Sequence, residues 1–274
     1  MPYAEHAGIR LYYEDAGRGD AIVFVHEFSG DLRSWEPQMQ HFVRDHRCIA
    51  SNARGYAPSA VPSPRHHYSQ ALAIEDLRAV FRHCRIAKAH LVGCSMGAQT
   101  ALQFALTYPR LLKSATLVGC GAGSGTTPEA RASYLRETEA QAQRFERDGA
   151  AAVLERVCRA ANRTRLKAKN PRAWADFRRR FVEHEGAAKA AVLRGIQAKR
   201  PSLYTLGNKL GRLTVPLQIV CGDEDTNSLD ASLFLRRTCP RARLAVVPAT
   251  GHLVNQEEPE LFNRLVRDFI ASLR

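Results

Sequence analysis

Nowhere do the 274 residues approach the roughly 18 consecutive apolar positions that a membrane helix needs. No apolar core follows Met1-Pro2-Tyr3-Ala4-Glu5-His6 either, so a secretory signal is not expected. These absences disfavour a membrane partner and a secreted location and predict a cytoplasmic one. Close metal-ligand spacing is missing too. Cys48, Cys84, Cys94, Cys120, Cys158, Cys221 and Cys239 are scattered and odd in number, which suits reduced thiols. There is no internal repeat and no long low-complexity segment. Acidic residues are scarce, 27 against 40 Lys and Arg, for a net charge of +13. A pI near 9.8 permits nucleic-acid binding, but no nucleic-acid fold signature accompanies it, so no nucleic-acid partner is expected.

What the chain does contain is a Gly-x-Ser-x-Gly run, Gly93-Cys94-Ser95-Met96-Gly97. Ala89-His90-Leu91-Val92 before it reads as a short buried parallel strand. Ala98 to Leu106 after it reads as a helix with apolar residues at helical spacing. A serine on a tight strand-to-helix turn leaves no room for side chains two positions away on either side, which accounts for both glycines. Two later strand runs also end at reactive groups. Leu217 to Cys221 leads into Gly222-Asp223-Glu224-Asp225, and Leu244 to Val247 leads into Pro248-Ala249-Thr250-Gly251-His252. Functional groups in a parallel α/β sheet gather beyond the carboxyl ends of its strands. A lone histidine after glycine is often a surface or capping residue, and three acidic residues can be a solvated turn. Their joint order, serine then acid then histidine, points instead to a nucleophile, an orienting acid and a base. The residues themselves leave Asp223 and Asp225 open as the acid.

The rest of the chain alternates strands and helices. Ile9 to Tyr13 belongs to an N-terminal hairpin, and Ala21 to His26 is the first central strand. A helix over about 35–44 precedes a strand at His46 to Ser51. The Pro-rich loop Pro58 to Pro64 leads to an amphipathic helix near 70–84, and Ala115 to Cys120 is a strand after the serine's helix. This alternation predicts an α/β fold with a mainly parallel sheet covered on both faces. The pattern breaks at Gly121 to Pro128. From there to about Gly211 only helical patterning remains: Glu129 to Asp148, Ala150 to Ala161, Pro171 to His184 and Ala187 to Gln197. We read residues 124–211 as an inserted helical cap, with residues 1–123 and 212–274 forming the core domain. Between Ser124 and Arg212 there are 20 Lys and Arg against 9 Asp and Glu, so this block holds most of the net charge. Its densest runs are Arg163 to Lys169 and Arg178-Arg179-Arg180. Such charge is either a solvated helical surface or a field that draws an anionic substrate.

Four further segments carry a resemblance. Val25-His26-Glu27-Phe28-Ser29-Gly30 is similar to an oxyanion loop after a third strand, and Asn52-Ala53-Arg54-Gly55-Tyr56-Ala57-Pro58-Ser59 to an Asp-x-Arg-Gly-x-Gly-x-Ser loop. The Gly222–Asp225 and Gly251–His252 segments, the latter followed by Glu257-Glu258-Pro259-Glu260, complete the set. Together with the Ser95 run they resemble the α/β-hydrolase superfamily over nearly the whole chain, in its esterase, lactonase and haloperoxidase-like branch with a helical cap.

That resemblance implies the α/β-hydrolase fold and a Ser95–His252–Asp225 triad, with Asp225 favoured over Asp223. It implies an oxyanion hole formed by the backbone N–H groups of Phe28 and Met96. The sequence departs from the pattern at Glu27, where the family carries glycine, and at Ala57, which replaces the second glycine of the arginine loop. Glu27 and Cys94 are the additional residues expected beside the substrate pocket, although Cys94 also reads as a small buried residue. A serine nucleophile disfavours dehalogenases and epoxide hydrolases of this fold, which attack with aspartate. The implied activity is hydrolysis of a small carboxylic ester or lactone through an acyl-enzyme, without metal or organic cofactor. The alternatives are thioester or perhydrolase chemistry, a carbon–carbon bond hydrolase of a ring-fission product, and a slow-turnover ligand receptor on the same fold.

Overall fold

Period-two alternation along the central strands gives the sheet two apolar faces. In strand β3 (Ala21–Val25), Ala21, Val23 and Val25 enter one buried cluster, while Ile22 and Phe24 enter the other. A computed structural model describes residues 2–63 and 67–273. Met1, and Pro64 at the end of the expected Pro-rich loop, lie outside the described residues.

Before β3 come β1 (Tyr3–His6) and β2 (Ile9–Ala16), and after it come helix α1 (Glu36–Phe42), β4 (Arg47–Ser51) and α2 (Gln70–His83). Then follow β5 (Ala89–Cys94), α3 (Met96–Thr107) and β6 (Leu112–Val118). The block between β6 and β7 is helical: α4 (Pro128–Cys158), α5 (Ala161–Lys169), α6 (Pro171–Glu183), α7 (Gly186–Val192) and α8 (Gly207–Leu210). The chain closes with β7 (Leu217–Gly222), α9 (Thr226–Thr238), β8 (Ala242–Val247), α10 (Val254–Glu257) and α11 (Pro259–Ala271).

The eight strands form one sheet in the order β1-β2-β4-β3-β5-β6-β7-β8. The β1–β2 and β2–β4 pairs are antiparallel, and every pair from β4 to β8 is parallel. The expected mainly parallel, doubly covered sheet is what the chain adopts. Register matters for the site. Val25 pairs with Gly93, Cys94 with Val118 and Gly222 with Val247, so the loops after β3, β5, β7 and β8 all leave from one edge.

The helical block packs onto that structure through aromatics. Phe145, Phe177 and Phe181 share a buried cluster with Phe24 and Trp35. The sequence splits the long α4 segment at Gly149, and the structure kinks there, at φ 76°. Helix α5 is a difference: the sequence marks Arg163 to Lys169 only as a basic run, and the structure makes Ala161–Lys169 a helix. Its mostly polar sequence has no broad apolar stripe, and among its described side chains Leu166 is the apolar one that it buries. Among the described residues no helix is long and apolar enough to cross a membrane.

Candidate active site

Ser95 closes the turn from β5 into α3 with φ 53° and ψ −109°, a conformation that non-glycine residues rarely adopt. The turn is held by the Ser95 N–H, which donates to the Val118 carbonyl at 2.7 Å, and by the Ser95 carbonyl, which accepts from the Gln99 N–H at 3.1 Å. Both flanking glycines are required by close approach. A Cβ on Gly93 would lie 2.3 Å from the Gly97 carbonyl oxygen, and one on Gly97 would lie 2.1 Å from that of Val25. Strain at one residue is thus enforced by backbone packing on either side.

His252 follows β8. Its Nδ1 lies 2.6 Å from Oδ2 of Asp225, at the head of α9, and both side chains are buried. With Nδ1–H donated to that carboxylate, Nε2 is the acceptor nitrogen. Asp223 does something else. It stays solvent-exposed and accepts the Thr250 N–H at 3.1 Å, which holds its carboxyl below the usual range. The structure therefore brings Asp225, and not Asp223, to the imidazole.

Ser95 and His252 line one cavity of about 210 Å³, together with Phe28, Phe181, Leu193, Arg163 and Asn227. A larger cavity of about 570 Å³ lies among Lys88, Lys113, Pro216 and Arg241, and no serine or cysteine lines it.

The peptide between Glu27 and Phe28 is oriented by His26. Nδ1 of His26 donates to the Glu27 carbonyl at 2.7 Å, and Nε2 accepts from the Ala53 N–H at 3.0 Å. Burial pushes the His26 pKa down, which favours the neutral ring this pairing needs. In a trans peptide the N–H points opposite to the C=O, so the Phe28 N–H is turned away from His26. No acceptor among the described residues takes it. The Met96 N–H is at the first position of α3, where no intrahelical partner exists.

Glu27 and Cys94, expected beside the pocket, do not line it. The Glu27 carboxylate is buried, accepting from Ser34 Oγ at 3.0 Å and Gln256 Nε2 at 3.4 Å. Its side chain takes the space that a Cβ on Gly30 would fill. Cys94 is fully buried on the sheet, and burial pushes its thiol up and keeps it protonated. The departure from glycine at Glu27 is thus absorbed behind the loop rather than inside the cavity.

Two residues that sequence reasoning missed hold this arrangement. Glu257 is buried, and its two carboxylate oxygens accept the N–H groups on either side of His252, from Gly251 at 2.7 Å and from Leu253 at 3.0 Å. Burial raises its pKa against the pull of those donors. Glu257→Gln replaces one acceptor by a donor facing an N–H, at a cost of roughly 1–3 kcal/mol. Urea unfolding should show that loss, and steady-state kinetics on any turned-over substrate should show kcat falling with KM little changed.

Lys189, on α7, is fully buried among the rings of Phe28, Tyr56 and Phe181, whose centroids lie 4.6–5.4 Å from Nζ. The Phe28 carbonyl accepts from Tyr56 at 2.8 Å and from Lys189 at 3.5 Å. Burial pushes the Lys189 pKa down to about 7, against the attraction of Asp31 and Glu27. An unfolded lysine titrates near 10.4, so between pH 7 and 10 the unfolded chain holds a proton that the folded chain has released. Stability from this residue therefore rises with pH across that window, by about 4 kcal/mol in full. Unfolding free energies at pH 7 and pH 10 should diverge between wild type and Lys189→Met by an amount of that order; parallel curves would contradict the shift.

A family model described as alpha/beta hydrolase fold matches residues 20–259. The chain is 28% identical over 97% of its length, and 96% of the relative's, to a putative 2-succinyl-6-hydroxy-2,4-cyclohexadiene-1-carboxylate synthase of Bacillus subtilis. It is 27% identical to a 2-hydroxy-6-oxo-6-phenylhexa-2,4-dienoate hydrolase of Burkholderia cepacia, covering 97% of this chain and 93% of that one. Among solved structures, a thermophilic esterase of Thermogutta terrifontis superposes with a TM-score of 0.83 at 26% identity, over 99% of this chain and 98% of that one.

Proposed function

From the premise that this chain belongs to the α/β-hydrolase fold family, we propose that it is a serine hydrolase of small carboxylic esters or lactones. The observation that carries the reading is a strained Ser95 sharing a cavity with His252, whose other ring nitrogen is engaged by the buried Asp225. Each group then has a task. His252 Nε2 accepts the hydroxyl proton as Ser95 Oγ attacks the substrate carbonyl, and Asp225 stabilises the imidazolium that forms. The developing oxyanion is taken by the Met96 and Phe28 N–H groups, whose directions are fixed before substrate arrives. His252 returns the proton to the departing alcohol oxygen, leaving an acyl-Ser95 ester. Water, deprotonated by the same imidazole, then attacks that ester and releases the acid and Ser95.

Residues 124–211 serve as the cap in this reading. Phe181 and Leu193 come from α6 and from the turn that continues α7, and they wall the cavity opposite the sheet edge. A pocket of about 210 Å³ is small beside the roughly 300–1,000 Å³ of drug-sized sites, which favours short acyl groups. Hydrolysis of p-nitrophenyl esters from acetate to octanoate tests the reading. The expected result is turnover that peaks at a short acyl chain. No turnover across the series would shift the assignment to the second reading, cleavage of a carbon–carbon bond in a dienoic ring-fission product. That alternative is favoured by the similarity to the Burkholderia dienoate hydrolase.

A further inference from the structure

The helical block is rich in arginine, and several of its arginines are paired with carboxylates. Arg165 pairs with Glu224, Arg178 with Glu155, Arg179 with Asp176, and Arg194 with Glu139 and Glu146. Arg163 is different. It lines the cavity of Ser95 and His252, where no other Lys, Arg, Asp or Glu is found among the described residues. Its Nη1 is buried with no hydrogen-bond partner among the described residues, and none of their carboxylates pairs with it. Glu257 is a carboxylate that feels its charge, but both oxygens of Glu257 are taken by the N–H groups flanking His252. The Phe177 ring stands 5.6 Å from the guanidinium carbon and covers one face of it.

The helix that carries Arg163 is fixed in place. Arg165 ties α5 to the acid loop through Glu224, and Lys169 ties it to the histidine loop through Thr250 at 2.9 Å and Glu258 at 2.5 Å. These tethers hold a half-buried guanidinium, with its Nη1 out of solvent, against the catalytic cavity. Burying an unpaired donor of this kind costs free energy that a bound anion would offset. A planar guanidinium fork fits a carboxylate through two parallel hydrogen bonds.

We infer that Arg163 is the recognition site for a free carboxylate on the substrate, so that the preferred ester or lactone is a small anionic one. The anion pairs with Arg163 while the scissile carbonyl sits at Ser95. This rests on the serine-hydrolase reading and narrows its substrate class. Arg163 acts here as a specificity-determining residue: it takes no part in bond making at the carbonyl, and its effect falls on KM for the charged substrate.

A matched pair of substrates tests it: mono-4-nitrophenyl glutarate, which carries a free carboxylate, and its neutral methyl ester. The wild type should favour the half-ester in kcat/KM by roughly 10- to 100-fold, the range of a charged hydrogen-bonded contact. Arg163→Gln should erase that ratio through KM, and Arg163→Lys, which keeps the charge without the fork, should restore part of it. Circular dichroism and thermal unfolding of each variant establish that the fold is retained. If Ser95-dependent turnover occurs and the ratio is the same in wild type and Arg163→Gln, the carboxylate site is overturned while the serine hydrolase stands. If neither ester is cleaved, calorimetric titration of glutarate into Ser95→Ala decides. Binding that is lost in Ser95→Ala/Arg163→Gln upholds the carboxylate site without the esterase reading, and no binding overturns both.

Discussion

Ser95→Ala should lower kcat on any ester the protein turns over by about 10⁶-fold, to the residual level that binding and oxyanion donors alone provide. The size follows from what is removed. Without Oγ no acyl-enzyme forms, and His252 has no hydroxyl proton to accept. The substitution is also structurally quiet. Alanine keeps a Cβ, so the strain at φ 53° is carried over, and the Ser95 N–H bond to Val118 and the Gln99 bond to the Ser95 carbonyl are backbone contacts that survive. Stability should therefore stay within about 0.5 kcal/mol of wild type, as for substitutions that break no buried contact. KM should change little, because the cavity walls are untouched. Stopped-flow and steady-state assays with p-nitrophenyl acetate, beside a thermal melt, would read all three quantities. A variant that keeps a tenth of the wild-type rate would remove Ser95 from the chemistry.

Asp225→Asn should reduce kcat about 10⁴-fold while leaving the overall geometry in place. The carboxylate receives the Nδ1 proton of His252 at 2.6 Å from a fully buried position. An asparagine there can turn its NH₂ toward Nδ1, which drives the imidazole proton to Nε2 and leaves no lone pair to accept from Ser95. The neighbouring carboxylate supplies the control. Asp223→Asn removes an exposed charge but keeps an oxygen that can accept the Thr250 N–H, and should cost kcat less than about tenfold. Measured side by side, the two variants discriminate between an acid that acts on His252 and an acidic loop that merely shapes it. Equal effects would contradict the assignment.

Those residues were legible because their constraints are written in local sequence. Gly93 and Gly97 flank Ser95 since neither position can carry a Cβ, and strand runs of buried residues mark the sheet edge where Asp225 and His252 emerge. The sheet was legible for the same reason: an apolar run of strand length can be recognised without knowing its partner. The inward-facing residues of the helical block were not. Arg163 and Arg165 are two positions apart on α5, yet one lines the cavity and the other reaches out to Glu224. Nothing in a basic run states which side of its helix meets the sheet. Lys189 was hidden similarly, because a lysine between alanines on a short helix reads as solvated until Phe28, Tyr56 and Phe181 are seen around it. Glu257 stood in plain view, but its grip on the two N–H groups beside His252 depends on how α10 folds back, not on spacing alone. The placement of Glu27 was missed for a physical reason too: Gly30, three residues on, makes room for its carboxylate behind the loop.

Labelling with a fluorophosphonate, followed by intact-mass and peptide mass spectrometry, tests the nucleophile most directly and needs no knowledge of the natural substrate. The account predicts one adduct per chain, located on Ser95, absent in Ser95→Ala and formed far more slowly in His252→Ala. A folded protein that takes no label, or takes it at another residue, would contradict it.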